Sequence, residues 1–193
     1  MVRELHHRVK NTLATVQAVL NATARSRLSI SEFIHAFSGR IASLARTHAL
    51  ITEDLAQAAS FEGLLRAELD PYGERGRLTL DGPKVVLPSE LAVPVGMALH
   101  ELTTNALRHG SLADPDGRLQ VTWWVEDGTS GRALRWDWTE HDGPPAGHPT
   151  RQGFGHRLLN KVLAAQTGAE VDVDFAPDGL RVSVRMPLPG ILA

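Results

Sequence analysis

Two long runs of apolar residues at helical spacing open this chain, and they constrain its fold more than any other feature. In the first, Leu5, Val9, Leu13, Val16 and Leu20 recur at intervals of three and four, with neither proline nor glycine between residues 3 and 25. That pattern predicts one long amphipathic helix. Arg25-Ser26-Arg27-Leu28 breaks it. Ser29 with Glu32 three residues on has the form of a capping box, and Phe33, Phe37, Ile41, Leu44, His48, Ile51 and Leu55 carry the same period onward. Two helices of this length joined by a short turn form an antiparallel hairpin. Such a hairpin buries little by itself, so its apolar stripe needs cover. A second copy would supply it, as a four-helix bundle on homodimerisation, and so would docking onto the domain that follows; the homodimer is the expected solution.

The hydrophobic period changes near residue 59. Residues 61–69 read as a short helix that Asp70-Pro71 stops. Leu78-Thr79-Leu80 and Val85-Val86-Leu87 read as two short strands around the turn Asp81-Gly82-Pro83. Leu91, Val95, Ala98, Leu99, Leu102 and Ala106 form a helical stripe that Gly110 is suited to end. Pro94 fits best if regular helical bonding starts near it. Two alternating, β-rich segments follow at 119–125 and 134–140, linked through Gly128 and Gly131. A Gly- and Pro-rich loop at 141–155, a helix at 155–167 capped by Gly168, and a hairpin of 171–175 with 180–186 complete the chain. The order predicts an α+β protein: a helical hairpin over residues 1–58, then a mostly antiparallel α/β sandwich over 59–193 with its helices on one face.

Composition narrows the function classes. The 193 residues are 42% hydrophobic and 22% charged, as in soluble globular proteins. A formal net charge of −2 argues against binding nucleic acid by neutralising many phosphates. No apolar run approaches the roughly 20 residues of a membrane span, and no export signal opens the chain. The absence of cysteine rules out disulfides and thiolate metal sites, and is compatible with a reducing cytoplasm, the expected location. A helix beginning so near residue 1 suggests a fragment or a stand-alone core, with any upstream module absent from this chain.

Chemistry-bearing residues fall at three places in the second domain. Glu101 and Asn105 lie one helical turn apart and project from the same flank, offering oxygen ligands of the kind magnesium accepts beside nucleotide phosphates. Glu140, at the end of an expected strand in Glu140-His141-Asp142-Gly143, is placed to accept a hydrogen bond from an adenine amino group. Gly153-Phe154-Gly155 precedes a helix, where backbone amides and the positive helix end can approach phosphates. In the first helix, His7 points about 160° from the apolar stripe and His6 about 60° from it, by the 100° step of a helix. His7 is therefore expected to be exposed, with Asn11 on the same face, and His6 half-tucked. His48 sits on the apolar stripe and reads as a core or interface residue.

Together these residues give the chain a resemblance, over nearly its whole length, to the catalytic core of the HWE sensor histidine kinases. The carriers are His100 in His100-Glu101-Leu102, the pattern Trp138-Thr139-Glu140, and the box Glu4-Leu5-His6-His7-Arg8-Val9-Lys10-Asn11. The resemblance implies that His7 is the phosphoacceptor, that Asn105 binds magnesium with help from Glu101, that Arg108 reaches a phosphate, and that Glu140 contacts adenine. Gly143, Gly153, Phe154 and Gly155 would frame a short lid. It also implies a Bergerat-type ATP-binding sandwich, ATP and Mg2+ as ligands, and a response regulator receiver domain as partner. Two departures stand out. Arg8 follows His7 where many histidine kinases have an acid, leaving Glu4, one turn back, as the candidate base; and Asp142 stands where relatives tend to have glycine, so the adenine contact falls to Glu140 or Asp142. The alternatives are a histidine phosphotransfer protein with a degenerate ATP domain, or a serine kinase or ATPase of the same sandwich class.

Overall fold

The computed structural model describes residues 2–25, 28–53, 58–73, 76–128, 131–144 and 163–189. The hairpin expected from the opening stripes is present as α1 (Val2–Ala24) and α2 (Ile30–Glu53). The capping box starts α2 as its residue types require: Ser29 N donates to Glu32 Oε2 at 2.8 Å, and Glu32 N donates to Ser29 Oγ at 3.3 Å. Carrying this bond holds the Glu32 carboxyl below its ordinary pKa, chiefly through the Ser29 hydroxyl.

The second region begins with a strand that the sequence did not announce, β1 (Ala58–Ser60), followed by α3 (Phe61–Leu69), whose first turn is capped by Ser60 Oγ accepting from Gly63 N at 2.9 Å. The strands β2 (Leu78–Asp81) and β3 (Val86–Pro88) both exist, but they do not pair around a turn. β3 pairs antiparallel with β1 in a two-stranded ribbon, while β2 runs parallel to β4 at the edge of the main sheet. Strands of three or four residues carry too little pattern to specify a register; their pairing is set by the elements they adjoin.

The long helix α4 (Ser89–His109) contains Pro94 rather than starting at it. The proline removes one helical hydrogen bond close to the N-terminus. Beyond it come β4 (Arg118–Gly128), β5 (Gly131–His141), a short α5 (Ala164–Thr167) ended by Gly168 in the left-handed region, β6 (Glu170–Ala176) and β7 (Gly179–Pro187). The main sheet has the order β2-β4-β5-β7-β6, antiparallel except for its first pair. Its strands alternate. Leu119, Val121, Trp123, Leu134, Trp136, Trp138, Val182, Val184 and Met186 point into one core with Phe61, Leu64 and Leu65 of α3 and Leu91, Val95, Leu99 and Leu102 of α4. Phe61 lies at the centre, its ring 5.5 Å from Trp123 and 5.2 Å from Trp136.

The hairpin meets this layer through α2, which packs on α4. The buried face combines Leu44 and Ile51 of the apolar stripe with Arg40, Ser43 and Thr47 beside it. The helices run antiparallel, since Gly39 faces His100 while Thr47 faces Gly96. Gly96 permits the approach: a Cβ there would fall inside the van der Waals shell of Thr47 Oγ1. On α1, Val19 and Thr23 are buried, whereas Val9 and Leu13 of the expected stripe remain 51% and 63% exposed.

Gly96→Ala should therefore lower the urea midpoint by an amount equivalent to about 1–3 kcal/mol, as overpacking does. Adding Thr47→Ala should recover most of that loss, and a double-mutant cycle without coupling would contradict the proposed fit.

Candidate functional site

The region that the motifs point to lies where the C-terminal end of α4 meets the end of β5. Gly110 closes α4 through N–H bonds to Ala106 O and Asn105 O, but its backbone is extended and not left-handed. Its glycine is required for a different reason, because a Cβ would collide with Glu140 Oε2. The chain then makes a 3-10 turn, Ser111–Ala113. Glu140 reaches this turn from β5: its Oε2 accepts from Ser111 N at 2.7 Å and its Oε1 accepts from Trp138 Nε1 at 3.1 Å.

Glu140 is only 2% exposed, and burial pushes its carboxyl above the ordinary pKa, with the Ser111 and Trp138 hydrogen bonds working the other way. The Trp-x-Glu pair is thus a brace between β5 and the end of α4. Asp142, two residues on, is exposed. Its φ of 55° places it in the left-handed region, which aspartate is among the few side chains to tolerate. Arg118 Nε lies 3.9 Å from Asp142 Oδ2, a loose surface pair. Gly143 packs directly on the backbone of Ser111.

On α4, Asn105 is half-buried and its side chain makes no hydrogen bond to a described residue, while Arg108 is exposed one turn later. Glu101 is differently placed. It is buried, and both its oxygens are engaged by Arg40 of α2: Nε to Oε1 at 2.7 Å and Nη2 to Oε2 at 3.0 Å. Arg40 Nη1 in turn donates to Thr23 Oγ1 of α1 at 3.0 Å. One residue earlier, His100 Nδ1 is 2.9 Å from Glu68 Oε2 of α3, and Arg46 Nη2 donates to Glu68 Oε1 at 2.7 Å. Burial works to raise the Glu68 pKa, but the bonds from His100 and Arg46 outweigh it and hold the carboxyl below its ordinary range. The carboxylate is therefore ionised near neutral pH, and the imidazole Nδ1 carries the donated proton.

The structure thus brings Asn105, Arg108, Asp142 and Gly143 to one end of α4 and sets Glu101 against the hairpin. Gly153, Phe154 and Gly155 lie outside the described residues. So do the side chains of Glu4, His6, His7 and Asn11, although all four positions fall within α1. Sequence reading missed Arg40, Glu68 and Thr47. Their signal was present as small or polar residues at helical spacing, with a glycine in the middle of each of two otherwise regular helices.

Comparison with known proteins agrees with this architecture. The Erythrobacter litoralis EL346 blue-light activated histidine kinase superposes with a TM-score of 0.62 at 22% identity, covering 92% of this chain and 59% of that one. Its isolated histidine kinase domain gives 0.58 at 19% identity over 91% and 94% of the two chains. Among curated proteins, the Brucella anthropi blue-light-activated histidine kinase is 33% identical over 97% of this chain and 39% of its own length, and that of Brucella ovis is 31% identical over 96% and 38%. The chain thus spans about two fifths of these relatives. Residues 4–84, from α1 through the start of the sheet, match the HWE histidine kinase family. Over nearly its whole length the chain is thus similar to these histidine kinases, and the HWE histidine kinase match falls on the hairpin and the elements that follow it.

Proposed function

We propose that this chain is the catalytic core of a sensor histidine kinase, in which His7 takes the γ-phosphoryl group of Mg-ATP and passes it to an aspartate of a response regulator receiver domain. The observation that carries this reading is the end of α4: a half-buried carboxamide at Asn105 left without a side-chain partner among the described residues, beside the acidic strand end and Gly143. A single carboxamide with phosphate oxygens suits magnesium, which seldom uses an all-protein cage. No cluster of three or more His, Asp or Glu suited to such a cage occurs among the described residues. The ion, when bound with the nucleotide, neutralises triphosphate charge.

The chain's own groups do the remaining work. Asn105 holds the ion, and Arg108 neutralises phosphate charge. Both Glu140 oxygens are committed to Ser111 and Trp138, so Asp142 takes the adenine amino contact and Glu140 holds the subsite in shape. A neutral His7 nitrogen forms the new bond to phosphorus as the bond to the departing ADP oxygen breaks, with Glu4, one turn back in the sequence, the candidate to receive the imidazole proton. By the resemblance, Gly153, Phe154 and Gly155 would contribute to phosphate binding. The exposed Val9, Leu13, Ile30 and Ile34 on the hairpin suit a second copy of the chain. No helix among the described residues is long and apolar enough to cross a membrane, which fits a kinase core working in the cytoplasm.

Incubation with labelled ATP and magnesium should give an acid-labile phosphoprotein, with a light-scattering mass of a dimer. His7→Ala should abolish the label, and Asn105→Ala should abolish nucleotide binding; undiminished label in His7→Ala would overturn the assignment. Asp142→Ala should weaken nucleotide binding, whereas Glu140→Gln should act on stability.

The sign of that last effect follows from proton linkage. The folded Glu140 carboxyl lies above its ordinary value of 4.5, so its protonated form contributes stability at lower pH that is lost as pH rises through the folded pKa. Glu140→Gln should gain on the wild type in urea midpoint as pH rises above the ordinary value of 4.5. A difference that does not change with pH would contradict the buried, raised carboxyl.

A further inference from the structure

We propose that Arg40 is a latch that withdraws Glu101 from the nucleotide site, so that docking of the hairpin and capture of magnesium by Glu101 exclude each other. The proposal rests on the kinase reading above and assigns to a hairpin residue a control over the ATP site. Glu101 precedes Asn105 by one turn on the same flank of α4, the position from which it would assist the cation. In the structure, however, neither of its oxygens is available, because the Arg40 guanidinium covers both in a two-pronged pairing at 2.7 and 3.0 Å.

The pair is shielded on both sides, with side-chain exposures of 9% for Arg40 and 6% for Glu101. Arg40 cannot swing away alone. Its remaining prong is held by Thr23 of α1, whose own hydroxyl donates to Val19 O at 2.7 Å. Glu101 is therefore released by moving α2 as a body. A second contact resists the same motion: Arg46 of α2 and His100 of α4 share the buried carboxylate of Glu68. The latch therefore joins all three layers, α1 and α2 of the hairpin to α4 of the nucleotide site. Coupling of this kind is reciprocal: whatever loosens the hairpin strengthens cation binding, and a bound Mg-nucleotide loosens the hairpin.

The absence of cysteine allows spin labels to be placed uniquely, at Ala42→Cys on α2 and Glu90→Cys on α4, both exposed positions. In the full chain, Arg40→Met should lengthen or broaden the interlabel distance with no nucleotide present. It should also tighten binding of a fluorescent ATP analogue about fivefold or more in magnesium, but not in EDTA. Arg40→Met combined with Glu101→Gln should bind as Glu101→Gln does alone, because the effect of Arg40 passes through that carboxylate. Arg40→Lys keeps the charge and loses the fork, so it should fall between wild type and Arg40→Met; it carries the test if Arg40→Met does not fold. An unchanged distance in the variants overturns the latch. A longer distance without tighter magnesium-dependent binding overturns the withdrawal of Glu101. Failure of the wild type and every variant to bind nucleotide overturns the kinase reading itself, and the distance still reports whether Arg40 holds the hairpin.

Discussion

Arg40 and Glu101 are both removed from water, and a charge pair in that position persists only where each partner is fully answered. Here the guanidinium fork matches the carboxylate, and Thr23 takes the remaining prong. Removing one member of such a pair costs on the order of 3–5 kcal/mol, because the other is left as an isolated buried charge. The pair therefore fixes how α2 lies on α4. Gly96 against Thr47 and Glu68 between Arg46 and His100 reinforce the same alignment. Since α4 also carries Asn105 and Arg108, the helix that holds the hairpin is the helix that presents the nucleotide ligands.

Glu140 plays the corresponding part on the other side of α4. By accepting from Ser111 N and Trp138 Nε1, it ties the end of the helix to the central strand of the sheet. Ser111 is in turn packed by Gly143, so the acidic strand end and the helix terminus cannot drift apart independently. This gives physical content to two family markers, His100 and the Trp-x-Glu pair. Each of them braces α4 through a buried carboxylate, Glu68 for the one and Glu140 for the other.

The long elements were legible because their periods are strong. Both hairpin helices, α4, the β4–β5 and β6–β7 hairpins and the Ser29–Glu32 cap lie where spacing and capping chemistry put them. Short elements were not. β1 has three residues and little pattern, and the partners of β2 and β3 are distant in sequence, so nothing local specifies them. Apolar periodicity found Leu44 and Ile51 of the buried face of α2 but missed its polar part, because Arg40, Ser43 and Thr47 lie outside any apolar pattern. Glu101 and Asn105 both lie in α4, one turn apart as their spacing requires. What spacing does not contain is that a residue 61 positions away claims the carboxylate of one and leaves the carboxamide of the other.

The central claim is that α4 serves the hairpin and the nucleotide in competition. Hydrogen exchange read by mass spectrometry, with and without a non-hydrolysable Mg-ATP analogue, tests it most directly. Amides of residues 105–111 should gain protection on binding while amides of α2 between residues 40 and 51 lose it. Gain of protection in both segments together would contradict the account, since it would mean that the nucleotide tightens the docked hairpin and does not release it.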